Sequence, residues 1–557
     1  MYDPKKLAEE REKWLAHSAG WQERKEEFES DAGVPLKSLY TPLDAQNIDY
    51  LREIGFPGMP PYTRGVYPSM YRGRLWTIRM FSGFGTPEET NERWKMLYRE
   101  GETGFSAAVD SLTFAGVDPD DPVDWLEVEV GKEGVPLYSI RGVEAMVDGL
   151  PIDKMSVALV VEPLTSTAVT SMYFNVARKR GIPIDSLRGT TQNDILTMTI
   201  GYVPWHSLKP DDLLKLACDL IEYCTARGEA PKWNPVNFTT YNYREGGIDA
   251  VQEIALGMAN AVAHIEEMLS RGWKVDDFVF RFAFHLAAQR NFFEEVAKYR
   301  AARKLWYRLM KERYKPEDPL SYQFRFHVQT AGSSLTAQQP MVNIIRTAYQ
   351  ALEAVLGGCQ SLHTNSFDEA VCLPGEESVR LAVRTQQLLQ EETGVADVID
   401  PLGGSYYIEA LTEELEHRIW EYFEKIESEG GIVEALKSGW LYREMGKAFE
   451  RRRRAVESGE EAVIGVNRYV VEEEEPHPPF RTNPRAAEIE VERLNKLRAE
   501  RDNQKVDRLK DELRRACDKR ENVMPVLMEL TREGASIGEV TNIYREMWGL
   551  WDVPIMG

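Results

Sequence analysis

Polar side chains stand where a strand-forming pattern calls for an interior: Ser106, Thr239, Thr240, His327, Gln329, Thr330, Ser361, His363 and Thr364 all fall within short runs of strand character. Such groups hydrogen-bond and orient a ligand. An unsatisfied buried polar group costs about 1 to 3 kcal/mol, so these side chains require partners, either one another, buried water, or a polar ligand threaded among them. No motif for phosphate cradling, zinc hydrolysis or serine nucleophily occurs (GxxxxGK[ST], HExxH, GxSxG). The five cysteines, Cys218, Cys224, Cys359, Cys372 and Cys517, contain no CxxC pair, which argues against a thiolate metal cage or a disulfide framework and for a reducing cytoplasm. The GxG at Gly83 to Gly85 precedes TPEETN, a helix start with Thr86 as N-cap; without a third spaced glycine it reads as a turn.

The elements that must position these residues follow from the pattern between residue 76 and about 367. Eight segments have strand character: WTIRMFSGF, TGFSAAVDS, MSVALVVE, GTTQND, PVNFTTYNY, VFRFAFHLA, QFRFHVQT and QSLHTNSF. Most are followed by a helical pattern, as in DDLLKLACDLIEYCTARG and DAVQEIALGMANAVAHIEEMLSRG, and this alternation predicts an α/β fold, a (β/α)8 TIM barrel. The predicted division is an N-terminal helix and extended arm (1–75), a barrel (76–400) and a helical C-terminal region with subunit contacts (401–557). Residues 1 to about 30 read as one charged helix with Leu7, Trp14 and Trp21 on one face, and the Pro/Gly-rich stretch 55–74 as an ordered arm on the barrel. The runs Arg451 to Arg454 and Glu472 to Glu475 read as solvated faces.

The chain has 557 residues and a net charge of −22, which opposes any broad grip on nucleic acid or an anionic membrane; an anionic ligand needs a local basic site. The charged N-terminus argues against a secretory signal, and no run approaches ~18 apolar residues. The expectation is a cytoplasmic protein.

The run YPSMYRGRLWTIRMFSGFGTPEETN (67–91) resembles the methylmalonyl-CoA mutase family, and the likeness continues through TTQNDIL, PKWNPVNFTTYNYREGG, EEVAKYRAARKLW, RFHVQTAGSSLTAQ, GCQSLHTNSFDEA, VIDPLGGSYYIE, IGVNRY and LRAERD. The resemblance covers nearly the whole chain. It implies a barrel traversed by the pantetheine arm of coenzyme A, with adenosylcobalamin supplying the radical chemistry of a 1,2-rearrangement. Tyr67, Ser69, Met70, Arg74, Thr77, Arg79, Ser106, Arg281, His327, Gln329, Gln360 and Ser361 match acyl-CoA contacts. Arginines near the barrel mouth would pair with the CoA phosphates. Phe81, Gln192, Tyr202, Tyr241 and Asn242 match positions around the reacting centre, and Phe114, Glu245, Glu369 and Ala370 the cobalamin side.

The chain departs from the family in three ways. None of its eight histidines follows an Asp by two residues, so the Asp-x-His-x-x-Gly cobalt-ligand motif is missing and the cobalt ligand is expected from a separate small subunit, in a hetero-oligomer such as a heterotetramer. Methylmalonyl-specific members carry tyrosine and arginine where this chain has Phe81 and Tyr202; isobutyryl-type members carry Phe and Gln, hydroxyisobutyryl-type members Ile and Gln. A carboxylate enclosed without its cation would cost several kcal/mol, so the expected acyl group is non-carboxylated and branched, hydroxylated or bulky, of isobutyryl, 2-hydroxyisobutyryl or pivalyl type. Finally, Asn242 and Phe114 replace family histidines, and Ala158 and Val160 replace hydroxyl residues. The alternatives are a true methylmalonyl-CoA mutase large subunit and a non-catalytic CoA-ester-binding subunit.

Overall fold

The computed structural model describes residues 3–19, 23, 25, 27–122, 129–197, 199, 207–472 and 477–554. All eight expected strand runs form, and two of them bend in the middle. The first splits into β1 (Thr77–Ile78) and β2 (Phe81–Ser82); at the fifth the strand begins two residues before the expected run, as β6 (Trp233–Asn234), and bends at Pro235 into β7 (Asn237–Thr239). The others are β3 (Gly104–Ala108), β4 (Ser156–Val160), β5 (Gly189–Thr191), β8 (Ala283–Ala288), β9 (Phe326–Thr330) and β10 (Ser361–His363).

Two parallel five-stranded sheets result, in the orders β1-β10-β9-β8-β7 and β2-β3-β4-β5-β6. Each bent run gives one half to each sheet, so the eight runs succeed one another in the order of a (β/α)8 barrel with seams at the two bends. Backbone hydrogen bonds cross both seams: Thr103 N–H donates to Ile78 O at 3.0 Å and Asn237 N–H to Gln192 O at 2.7 Å.

Helices between the runs lie outside the ring and are set by local signals. Thr86 caps Pro87–Arg99 as the sequence predicts, in a reciprocal capping box with Glu89, and Asp249 with Gln252 forms another at Ala250–Ser270. The apolar core fills the layer between strands and helices. Trp94 stacks on Phe105 with centroids 4.9 Å apart, and Phe284 on Phe324 at 4.0 Å. In β4, Val157 and Leu159 are buried against helices, whereas Ser156, Ala158 and Val160 face inward and stay partly exposed. That alternation is the period of a strand; here its inward half looks onto open space rather than a packed interior.

The arm is tied to the barrel by buried polar contacts. Arg303 donates to Tyr62 O (2.9 Å), Thr63 O (2.7 Å) and Gly357 O (2.6 Å), and Tyr71 Oη to Cys359 O (2.7 Å). Arg64 of the arm and Arg300 of the barrel share the Asp400 carboxylate. The expectation of one helix to about residue 30 is corrected: the helix spans Pro4–Ser18, started by the Asp3 cap, and Glu29 pairs with Pro35 in a β-bridge. Three apolar residues spaced by seven give no face to bury; no residue of that helix is buried, and Trp21 lies outside the described residues.

After residue 400 the chain is helical. Ala486–Glu500 is followed directly by Asn503–Asp518, which is buried along Val506, Leu513 and Ala516 against the last two helices. The helices Met524–Arg532 and Ile537–Trp548 pack on Pro163–Lys179, where Asn175 donates to Met528 O at 2.8 Å. One apolar cluster runs from the barrel into these helices. Of the run Arg451 to Arg454, Arg453 and Arg454 pair with Glu450 on the exposed face of their helix, while Arg452 turns toward Ser333 at the ends of the strands.

Candidate active site

The ring encloses a cavity of about 730 Å3. Thirteen of the residues singled out from sequence line it: Tyr67, Ser69, Met70, Arg74, Thr77, Arg79, Phe81, Ser106, Gln192, His327, Gln329, Gln360 and Ser361. Strand register explains their convergence. Thr77, Ser361, His327, His285 and Thr239 are successive register partners around one sheet, and Phe81, Ser106, Ala158, Thr190 and Asn234 around the other.

Several lining groups are fixed by hydrogen bonds. His327 Nδ1 and Ser361 Oγ are 2.7 Å apart, and His363 Nδ1 accepts from Phe81 N–H at 2.8 Å, which leaves the His363 proton on Nε2. Gln360 accepts from Phe326 N–H at 2.8 Å, and Gln192 donates to Glu162 at 2.6 Å. Burial drives the imidazole pKa values down: His285 to about 3, with the nearby His363 adding to the effect, and His363 itself to about 4. All are neutral at pH 7. Other lining atoms have no partner: Asn234 Oδ1, Asn237 Oδ1 and His285 Nε2 are buried and unbonded. Each unmet acceptor or donor favours a polar occupant.

Charge is segregated along the cavity. Arg74 and Arg325 line it ahead of β1 and β9, at the end where the strands begin; Arg281 is not among the lining residues and precedes β8 beside Arg325. Burial, and then the like charges of Arg325 and Arg188, lower the Arg281 pKa to about 10, and no carboxylate offsets them. This is the local basic site that an acidic chain needs for an anionic ligand. Arg79 enters the cavity, but its guanidinium turns back toward the starts of β3 and β4, donating to Phe105 O (2.9 Å) and Ser156 Oγ (2.5 Å). No arginine or lysine among the described lining residues reaches the other end.

Tyr241, Asn242, Glu245, Glu369 and Ala370 do not line the cavity; they sit beyond its inner end, on segments that follow β7 and β10. Tyr241 stacks on His285 (5.2 Å, 9°) and accepts from Gly332 N–H at 3.2 Å. A Cβ at Gly332 would meet Asn365 Nδ2 at 3.1 Å, Glu245 Oε2 at 3.2 Å and Tyr241 Oη at 3.4 Å, so these groups converge on one point. Enclosure raises the Glu245 carboxyl to about 7. Glu369 has surface open to solvent, yet protein crowds its carboxyl, and that crowding, followed by the charges of Glu245 and Asp368, raises it to about 7 as well. Asn242 is partly exposed in the short helix Tyr241–Glu245, Phe114 is buried in Ser111–Ala115, and Tyr202 lies outside the described residues.

Sequence reasoning missed His285, Arg325, Asn234, Asn237 and Thr190 as lining residues. The signal for two of them was the strand period of two: Arg325 shares a face with His327 and Gln329, and His285 with Arg281 and Ala283.

Residues 29–550 match the family model described as methylmalonyl-CoA mutase. The chain is 41% identical to the 2-hydroxyisobutanoyl-CoA mutase large subunit of Aquincola tertiaricarbonis, over 99% of this chain and 98% of that protein. It is 39% identical to the methylmalonyl-CoA mutase of Cereibacter sphaeroides (93% of this chain, 72% of that one) and 35% identical to the methylmalonyl-CoA mutase large subunit of Streptomyces virginiae (97% and 74%). The chain belongs to the methylmalonyl-CoA mutase family, the cobalamin-dependent acyl-CoA mutases.

Proposed function

We propose that this chain is the large, substrate-binding subunit of an adenosylcobalamin-dependent acyl-CoA mutase that rearranges a non-carboxylated, branched acyl group of isobutyryl, 2-hydroxyisobutyryl or pivalyl type. The observation that carries the reading is the segregation of charge in the cavity: unpaired arginines at the mouth, unbonded polar atoms along the wall, and no described cation at the inner end. CoA phosphates suit the first and the amides of the pantetheine arm the second. An acyl carboxylate at the inner end would lack a counter-charge. Arg79, the cation nearest to filling that role, is held by Phe105 O and Ser156, which weighs against the methylmalonyl alternative.

Cobalamin supplies homolysis and the radical when bound. The groups that fit it are Tyr241, Glu245, Glu369 and Asn365. Asn365 Nδ2 is buried without a partner, and two carboxyls raised to about 7 can donate as well as accept, which suits a corrin edged with carboxamides. In this reading Tyr241 and Gln192 orient the acyl group, and the apolar wall of Phe81, Ala158 and Val160 excludes water. The cobalt ligand is assigned to a small cobalamin-binding subunit, and the complex to a cytoplasmic hetero-oligomer such as a heterotetramer. Among the described residues no helix is long and apolar enough to cross a membrane. The division into arm (1–75), barrel (76–400) and helical region (401–557), the last for subunit contacts, is part of the same proposal.

The test is reconstitution with a cobalamin-binding subunit and adenosylcobalamin, followed by turnover of the four thioesters. One of the non-carboxylated esters is expected to be fastest. Faster turnover of methylmalonyl-CoA would overturn the substrate assignment.

A further inference from the structure

Two imidazoles, His285 and His327, line the cavity, a third, His363, lies behind Phe81, and the three are not equivalent. His327 and His363 are each anchored through Nδ1, to Ser361 and to the Phe81 peptide. His285 is held by ring contacts instead: Tyr241 stacks flat on it, and the His327 ring meets it edge-on with centroids 4.7 Å apart. Its Nε2 is buried without a hydrogen bond of normal geometry, and the Gln329 side chain is the polar group set against the ring. Burial and the neighbouring His363 keep the ring neutral, so it attracts a neutral polar group rather than a carboxylate.

The wall is also two-sided. Phe81, Ala158 and Val160 form an apolar patch on one side, interrupted by Ser106 and Thr190, while His285, His327 and Gln329, from β8 and β9, present polar groups on the other. A branched acyl group lies in such a space with methyl groups toward the first side and a polar substituent toward the second. An unmet imidazole nitrogen there is a cost that a substrate hydroxyl removes and an alkyl group leaves standing.

We propose that His285 is a specificity-determining residue: its Nε2 hydrogen-bonds a hydroxyl on the acyl group and makes hydroxylated branched acyl thioesters the preferred class. This rests on the acyl-CoA reading above. Direct binding to the full chain reads the contact without turnover. Affinities for 2-hydroxyisobutyryl-CoA and isobutyryl-CoA, measured by calorimetry, are expected to differ about tenfold in favour of the hydroxyl ester, the effect of one hydrogen bond. His285→Phe keeps the stacking on Tyr241 and removes the nitrogen, and the ratio is expected to fall to about one. His285→Gln restores a hydrogen-bonding group and part of the ratio, and keeps the test open if the Phe variant folds poorly. A wild-type ratio near one, or a ratio unchanged in His285→Phe, overturns this contact alone. Binding of neither ester overturns the acyl-CoA reading together with it.

Discussion

Arg281→Ala separates binding from folding. The Arg281 guanidinium has a buried, unbonded Nε and faces the like charges of Arg325 and Arg188, with no carboxylate to offset them. Removing it breaks no ion pair and relieves repulsion, so the melting temperature is expected to hold or rise. Binding should move the other way. A charge-assisted hydrogen bond contributes about 1.5 to 3 kcal/mol, which converts to a loss of about 10- to 100-fold in affinity for coenzyme A at ~1.4 kcal/mol per decade. The assay is calorimetric titration of wild type and variant with coenzyme A at two ionic strengths, alongside thermal melts. The wild-type affinity should fall with salt more steeply than that of the variant, because one phosphate contact has been removed. A change below twofold, or equal salt slopes, would refute the assignment of this cluster to phosphate; a large drop in melting temperature would show that Arg281 serves the fold.

Phe81→Tyr combined with Tyr202→Arg should confer methylmalonyl-CoA turnover on the reconstituted enzyme; an unchanged rate counts against the pocket assignment. Glu245 and Glu369 have folded pKa values of about 7, above the usual 4.5, so the folded state holds protons that the unfolded chain releases between those values, and any stability they add is lost as pH rises through that window. Binding of the cobalamin-loaded partner should weaken as pH rises through 7, and Glu245→Gln with Glu369→Gln should flatten that profile. Arg300→Ala leaves the buried Glu409 carboxylate without its cation and Asp400 with Arg64 alone. It is expected to cost about 3 to 5 kcal/mol in urea unfolding, and a loss under 1 kcal/mol would show that the Arg300 ion pairs do not hold the fold.

Alternating strands and helices were legible because each strand run carries its own local signals, and so was the Thr86 cap. The bends within 77–82 and 233–239 were not, since they arise where the two sheets meet and no local pattern marks them. The first helix is shorter than the pattern implies: Leu7, Trp14 and Trp21 recur by seven, but a helix needs a face to bury, and this one touches the Pro42–Asp44 turn without burying a residue. Within the site, the residues on the arm and at the strand starts were reached through the family resemblance, and Tyr67, Ser69, Met70, Arg74 and Thr77 line the cavity. His285 and Arg325 are less legible because they alternate with phenylalanines in VFRFAFHLA and QFRFHVQT, a pattern that marks a packed strand as well as a lining one. Where Tyr241, Glu245 and Gly332 converge depends on loops from different strands, a relation that no single segment encodes.

The inward half of every strand looks onto open space, so the lumen contributes little to holding the fold together. Trp94, Trp233 and Phe284, in the outer layer, cannot change without disturbing packing. Ala158 and Val160 carry no such constraint. Such a barrel has wide evolutionary latitude: single substitutions facing the lumen can exchange one acyl group for another while the scaffold, the entry for coenzyme A and the face toward the cofactor are inherited unchanged. Divergence in this lineage is therefore expected to concentrate on lumen-facing positions, with new substrates arising by exchange of a few side chains.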